Sequence, residues 1–127
     1  MRLRSQDQGF VQVPPDQVYE ALRDLAGYQR WWPGVGTWSG GRLSLRLDGR
    51  PWEAAPDRER PGVGMFLNLR SPADTLEWYL EPFEEGTVVS CFLELDLPGG
   101  SRRAGRHLRR IRAAVRSGLV GLMEALR

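Results

Sequence analysis

Alternation between apolar and polar side chains is the dominant pattern in the middle of the chain. In residues 42–47, Leu43, Leu45 and Leu47 alternate with arginine and serine, as expected of a strand with one buried face. The pattern predicts strands over Gly36–Ser39, Arg42–Asp48, Pro51–Asp57, Val63–Ser71, Thr75–Glu81 and Thr87–Leu97, separated by turns at Gly40-Gly41, Gly49, Glu59–Gly62, Ser71–Asp74 and Glu84–Gly86. Strands that follow one another at such short spacing favour an antiparallel meander.

Three further elements precede this meander. Arg2–Val13 is predicted to be a strand, because Phe10–Val13 is rich in β-forming residues, and Pro14-Pro15 ends it. Pro15–Leu25 has the apolar spacing of an amphipathic helix. A short second helix over Tyr28–Trp32 should end before Pro33, because a proline disfavours helical backbone in the residue before it.

The longest helical pattern is the last one, over Arg102–Arg127. Its apolar residues recur at steps of three and four: Leu108, Ile111, Val115, Leu119, Leu122 and Leu126. The one-sided strands need a cover, and this helix can supply it. The predicted order is therefore β-α-α-β6-α, an α+β fold in which an antiparallel sheet of about seven strands is covered by a long C-terminal helix.

Length and composition narrow the class of protein. The chain has 127 residues, of which 41% are hydrophobic and 27% charged, as is typical of a single globular domain over residues 1–127. No apolar run approaches the ~20 residues that a membrane-spanning helix needs, and the N-terminal residues lack the apolar core of a secretory signal. The single cysteine, Cys91, cannot form an internal disulfide, so a reducing, cytoplasmic setting is expected.

Positive charge is concentrated in the predicted C-terminal helix. All 18 basic residues are arginine, which excludes chemistry that needs a lysine, such as Schiff-base formation. Residues 1–101 hold 10 arginines and 15 acidic residues, a net charge of −5, whereas residues 102–127 hold eight arginines and one glutamate, a net charge of +7. We expect the acidic body to neutralise the helix within the molecule, the alternative being a helix that docks on nucleic acid or an anionic membrane. Neither nucleic-acid binding nor stable membrane insertion is expected.

Few residues are candidates for chemistry. His107 is the only imidazole and lies beside the apolar stripe of the long helix, so acid–base catalysis near neutral pH would depend on it; a partly exposed, inert histidine is the alternative. Cys91 is most simply a small core residue. Trp31-Trp32 either anchors the short helices to the sheet or gates a pocket. One histidine and one cysteine do not make a zinc site, and the glycines do not form a nucleotide-binding motif.

Four features occur in an order that is similar to one known superfamily. They are Val13–Tyr19 at the start of the first helix, Asp24 and Tyr28 with Trp31–Val35, Trp78–Pro82 followed by Gly86–Val89, and the long C-terminal helix. This combination resembles the START/Bet v 1-like superfamily, also called SRPBCC, and within it the polyketide cyclase/dehydrase-like subgroup. The resemblance implies a helix-grip fold, in which a curved sheet wraps the long helix and an apolar cavity lies between them. It also implies a hydrophobic ligand, such as a lipid or a polyketide, and for some members an enzymatic activity.

The leading functional hypothesis is binding of a small hydrophobic molecule between the sheet and the C-terminal helix. The side chains predicted to line this site are Trp31, Trp32, Trp52, Met65, Leu67, Trp78, Cys91, Leu93, His107 and Ile111. The alternatives are a polyketide cyclase, aromatase or dehydratase with His107 as acid or base, and binding of an anionic surface or partner by the arginine-rich helix. No metal or other cofactor is expected, and the protein is expected to be a monomer or a homodimer.

Overall fold

The computed structural model describes residues 2–47, 50–69, 74–97 and 100–127. Within them, seven strands form one antiparallel sheet: β1 Arg2–Val11, β2 Val35–Ser39, β3 Arg42–Leu47, β4 Arg50–Arg60, β5 Gly64–Leu69, β6 Asp74–Phe83 and β7 Gly86–Asp96. The helical segments are α1 Pro15–Arg23, the 3-10 helix η1 Leu25–Arg30, and α2 Ser101–Ala125. The predicted order of elements is confirmed. The predicted turns at Gly49 and Ser71–Ala73 lie outside the described residues.

The sheet has the spatial order β1-β7-β6-β5-β4-β3-β2. Each strand from β2 to β7 is antiparallel to the next one in sequence, whereas β1 pairs with β7, the last strand, so that Leu3 lies opposite Leu95. The turn between β2 and β3 consists of Gly40 and Gly41, with φ angles of 60° and 76°. A two-residue hairpin turn of this kind needs positive φ at both positions, which glycine adopts without steric cost.

The apolar face of the sheet and the apolar side of α2 share one core. Leu43, Leu76 and Cys91 on the sheet are 0% exposed, as the alternation predicts. From α2, the buried apolar side chains are those of Ala104, Ile111, Val115, Leu119 and Leu122. The long helix is therefore the cover of the sheet rather than a separate basic arm. None of the helices in the described part of the chain is long and apolar enough to cross a membrane.

Three local details differ from the predicted elements. Val63, at the start of a predicted strand, is instead 47% exposed in the turn before β5, where its amide donates to the Arg60 carbonyl (2.9 Å). Trp31, predicted inside the second helix, follows η1 with φ −128° and ψ −18°. β4 continues to Arg60, and its register shifts between Pro56 and Arg58, because proline has no amide hydrogen to donate to the ladder.

Candidate ligand-binding site

Most residues predicted to line a cavity face the interior between the sheet and α2. Eight of them are at most 5% exposed: Trp32, Trp52, Met65, Leu67, Trp78, Cys91, Leu93 and Ile111. All belong to one continuous hydrophobic core. The structure therefore brings these side chains together, but it packs them against one another.

An aromatic cluster fills the interior under the second half of α2. The rings of Trp31 and Trp32 stack with centroids 6.0 Å apart, and the Tyr28 ring lies 4.5 Å from that of Trp31. Trp78, from β6, meets both tryptophans edge-on, at 6.1 and 5.9 Å. Each such ring buries about 150–250 Å² of surface, so the cluster occupies much of the space in which a ligand would lie.

Two glycines of α2 allow the tryptophan pair to approach the helix. A Cβ on Gly118 would lie 2.5 Å from the Trp32 ring, and one on Gly121 would overlap the Trp31 carbonyl oxygen. The Trp32 indole N–H also donates to the Ala114 carbonyl on the same helix (3.1 Å). These contacts support the interpretation of Trp31-Trp32 as an anchor, and they show that the pair packs against α2. A pair of glycines inside a helical pattern was the sequence signal for this close packing.

The buried polar groups beside the cluster are chemically quiet. The Tyr28 hydroxyl donates to the Leu22 carbonyl (2.6 Å), and burial raises the pKa of Tyr28 well above its usual value. The nearby indole N–H of Trp78 acts in the opposite direction and lowers the pKa of Tyr28, but the effect of burial is larger. Burial likewise raises the pKa of the Cys91 thiol. Both groups stay protonated near neutral pH, which agrees with Cys91 as a core residue.

His107 lies on the first half of α2 and is half-buried, with its Nε2 atom shielded from solvent. Below that half of the helix, a hollow is lined by Leu3, Ser5, Leu93, Leu95, Leu108 and Ile111, and it is too narrow to admit a water molecule. The imidazole is not among the residues that surround this hollow. The resemblance implies an open cavity here, whereas side chains occupy the corresponding space in this structure.

An open groove lies where η1 faces β4, and we call it the η1–β4 groove. It has a volume of about 430 Å³ and is lined by Arg23, Asp24, Leu25, Ala26, Trp38, Pro56, Asp57, Arg58, Glu59 and Met65. Leu25 and Met65 are only 5% and 4% exposed, so the floor of the groove is continuous with the core. The bulge in β4, at Pro56 to Arg58, lies in the wall of this groove.

The rim of the η1–β4 groove is charged and internally bonded. The Tyr19 hydroxyl donates to the Glu59 carboxylate (2.6 Å), which ties α1 to β4. Burial, and then this hydrogen bond, raise the pKa of Tyr19 above its usual value. Arg23 lies 3.8 Å from Glu59, and Arg30 lies 3.1 Å from Asp24. An apolar floor below a rim of both charges suits an amphipathic molecule better than a fully apolar one.

A second concavity, of about 700 Å³, lies mainly on the outward face of β1, β6 and β7. Its walls include Tyr79 and Phe92, but most of the lining is polar: Arg4, Gln6, Thr75, Glu77, Ser90 and Glu94. Hydrogen bonding from Arg2, with the nearby charge of Arg4, lowers the pKa of the Glu94 carboxyl. The sheet separates this second concavity from most of the residues predicted to bind a ligand.

Comparison with known proteins identifies the class of fold. No protein-family model matches the chain, and no curated protein matches it significantly by sequence. A START superfamily protein from Mycobacterium smegmatis is 14% identical, with a TM-score of 0.77 over 98% of this chain and 99% of that one. The Zhui aromatase/cyclase from Streptomyces sp. R1128 is 15% identical, with a TM-score of 0.76 over 99% of this chain and 94% of that one.

Aha1 from Colwellia psychrerythraea, described as a dimer in solution, is 16% identical, with a TM-score of 0.71 over 98% of this chain and 96% of that one. At these identities, the structural similarity establishes the fold. The chain has the START/Bet v 1-like helix-grip fold that its motifs indicate. Because this fold supports several functions, the function has to be argued from the site.

Proposed function

We propose that this protein binds a small, mainly apolar molecule with a polar end, and that the η1–β4 groove is the open part of its binding site. The observation that carries this proposal is the floor formed by Leu25, Trp38 and Met65, which joins an open groove to the core. The groove volume of about 430 Å³ falls within the range of about 300–1,000 Å³ for small-molecule sites. Lipids and polyketide-like compounds are the ligand classes to test first.

The groove suggests how such a ligand would be oriented. Its apolar part would contact Trp38 and Met65, and its polar end would lie near Arg23 or Arg58 on the rim. A longer apolar chain would have to displace Met65 to reach the interior. Methionine is unbranched and adapts its shape readily, so it is well suited to be displaced.

The test is a thermal-shift screen with lipids and polyketide-like compounds, followed by variants of the groove. Ala26→Trp should block the groove without disturbing the core, since Ala26 is exposed, and Trp38→Ala should remove part of the floor. Tyr79→Ala is the control, because Tyr79 is an exposed aromatic residue of the other concavity. We expect hits to raise the Tm of the unaltered protein and of the control, but not of the two groove variants. Absence of hits, or unchanged binding by Ala26→Trp, would refute the proposal.

A second candidate is catalysis of the aromatase/cyclase type, with His107 as acid or base. The fold shared with the Zhui aromatase/cyclase favours this candidate. The position of His107 counts against it, because His107 is not among the residues that line the η1–β4 groove. If a polyketide-like substrate is turned over, His107→Ala should lower kcat, because it removes the only imidazole that could transfer a proton. Unchanged turnover by His107→Ala would remove this residue from the reaction.

A further inference from the structure

We propose that the first half of α2 docks reversibly on a bilayer surface that carries anionic phospholipid headgroups. The docking surface, which we call the arginine face, consists of five exposed residues: Arg102, Arg103, Arg106, Arg109 and Arg112. This inference goes beyond ligand binding, because it concerns where the protein is held rather than what it holds. It rests on the charges of α2 and not on the η1–β4 groove.

The acidic body does not neutralise the arginine face. Several of its carboxylates pair with arginines of the body itself: Glu94 with Arg2 and Arg4, Glu20 and Glu59 with Arg23, Asp24 with Arg30, and Glu53 with Arg42. From α2, Arg116 pairs with Asp7 of β1 (3.0 Å). Within the described residues, none of the five arginines of the face makes an ion pair. The intramolecular neutralisation expected from net charge is thus found for Arg116, while the arginine face keeps its charge toward solvent.

The geometry of α2 presents these charges together. At about 100° per residue, Arg102, Arg106 and Arg109 lie within an arc of about 60°, and Arg103 and Arg112 flank them on either side. The face extends about 15 Å along the helix axis. On the opposite side of the helix, Ala104 and Ile111 are each 1% exposed, so Arg102, Arg106 and Arg109 point away from the body, while Arg112 borders the concavity beside β1, β6 and β7.

A planar partner fits this surface better than a nucleic-acid duplex does. The sheet covers one side of α2, which limits how far this helix could enter a major groove about 8.5 Å deep. Residues 102–113 also contain no phenylalanine, tyrosine or tryptophan on which the bases of a single strand could stack. Arginine binds phosphate groups in a bidentate manner without any such aromatic residue, as an array of lipid headgroups requires.

Attachment to the bilayer would be electrostatic. The large apolar side chains exposed among the described residues are Phe10, Val63, Tyr79 and Phe83, and none of them lies on α2. Without an apolar anchor there, attraction depends on the negative surface potential, which salt screens within about 10 Å. Docking should therefore be reversible, dependent on anionic lipid, and sensitive to salt.

Vesicle flotation tests this inference. We expect the protein to bind vesicles of equal parts phosphatidylcholine and phosphatidylglycerol at about 50 mM NaCl and to be released at about 300 mM. The triple variant Arg102→Gln/Arg106→Gln/Arg109→Gln should bind about 100-fold more weakly, since each basic residue near an anionic surface contributes about fivefold. Glutamine keeps a similar helix propensity, so the variant should fold, and circular dichroism checks this.

The matched control is Arg30→Gln/Arg42→Gln/Arg60→Gln, which removes the same charge from exposed positions of the body. It should bind the anionic vesicles almost as the unaltered protein does. Equal binding to vesicles of phosphatidylcholine alone, or an equal loss in the control, would overturn the proposal. Tighter binding to a short DNA duplex than to the anionic vesicles at the same salt would also overturn it, and would assign the face to nucleic acid.

Discussion

The two halves of α2 are held in different ways. In residues 113–125, Gly118 and Gly121 bring the tryptophan pair against the helix backbone, and Trp32 hydrogen-bonds to Ala114. In residues 101–112, Ala104 and Ile111 face the sheet, and the other side carries the arginine face. The second half is therefore anchored through specific close contacts, and the first half through two small patches of apolar surface.

This difference indicates which end of the helix can change without loss of the fold. The narrow hollow lies under the first half, next to Leu108 and Ile111, whereas aromatic rings fill the space under the second half. Local opening is cheapest where few buried contacts are broken. We therefore expect the second half to dominate stability and the first half to be available for partners.

The largest expected effect comes from the anchor itself. Trp32→Ala should lower the free energy of unfolding by about 3–5 kcal/mol, because it empties a buried aromatic site and removes the hydrogen bond to Ala114. Urea unfolding followed by circular dichroism measures it. Trp38→Ala, at a half-buried position of β2, should cost less. Equal losses in the free energy of unfolding for the two variants would contradict the anchoring role of Trp32.

Two glycines of the same helix provide the sharpest test of the comparison. A Cβ at Gly121 would overlap the Trp31 carbonyl, so Gly121→Ala should destabilise by about 1–3 kcal/mol or more. A Cβ at Gly105, in the first half, would meet nothing within 4 Å, so Gly105→Ala should stabilise by about 0.5–1 kcal/mol through helix propensity. If the two substitutions changed the free energy of unfolding in the same direction, the proposed difference between the halves of α2 would be contradicted.

A pH dependence should also arise from the anchored side, at Tyr28. Burial raises its folded pKa above the unfolded value of about 10, so its contribution to stability is complete below about pH 10. As the pH rises further, the unfolded state ionises first, and the contribution is lost up to the folded pKa. Tyr28→Phe should flatten this alkaline loss, at a cost of about 0.5–1.5 kcal/mol near pH 7 for the missing hydrogen bond to Leu22.

Urea midpoints between about pH 7 and about pH 11 measure the effect of Tyr28. The raised pKa of Cys91 adds a loss of the same sign, so the informative quantity is the difference between the variant and the unaltered protein. An identical pH slope in both proteins would contradict the assignment to Tyr28.

The smallest effect is expected on the arginine face. Replacing Arg102, Arg106 and Arg109 by glutamine should change the free energy of unfolding by no more than about 0.5 kcal/mol, because these side chains are exposed and make no ion pair within the described residues. Arg116→Gln should cost up to about 1 kcal/mol, because Arg116 bonds both Asp7 and the Gln8 carbonyl of β1. A large loss in the first variant would give the face a structural role.

Individual residues show how far the sequence could predict the site. The inward positions of Met65 and Trp78 followed from alternation, since neighbouring side chains of a strand point to opposite faces. Leu25 and Trp38 were not predicted to line a site, because local periodicity does not show that η1, β2 and β5 meet at one groove. The available signal was Pro56 within a strand pattern, which indicates a bulge but not what the bulge exposes.

The sequence by itself determined the order of the elements, the buried face of each strand and the apolar stripe of α2. These depend on the local periods of strand and helix, which can be read from a few consecutive residues. Only the tertiary structure decided that aromatic rings fill the space between sheet and helix, that an open groove lies beside η1, and that several carboxylates of the body pair away from the arginine face. Those outcomes depend on distances between residues far apart in the chain, such as Trp32 with Gly118 and Arg2 with Glu94.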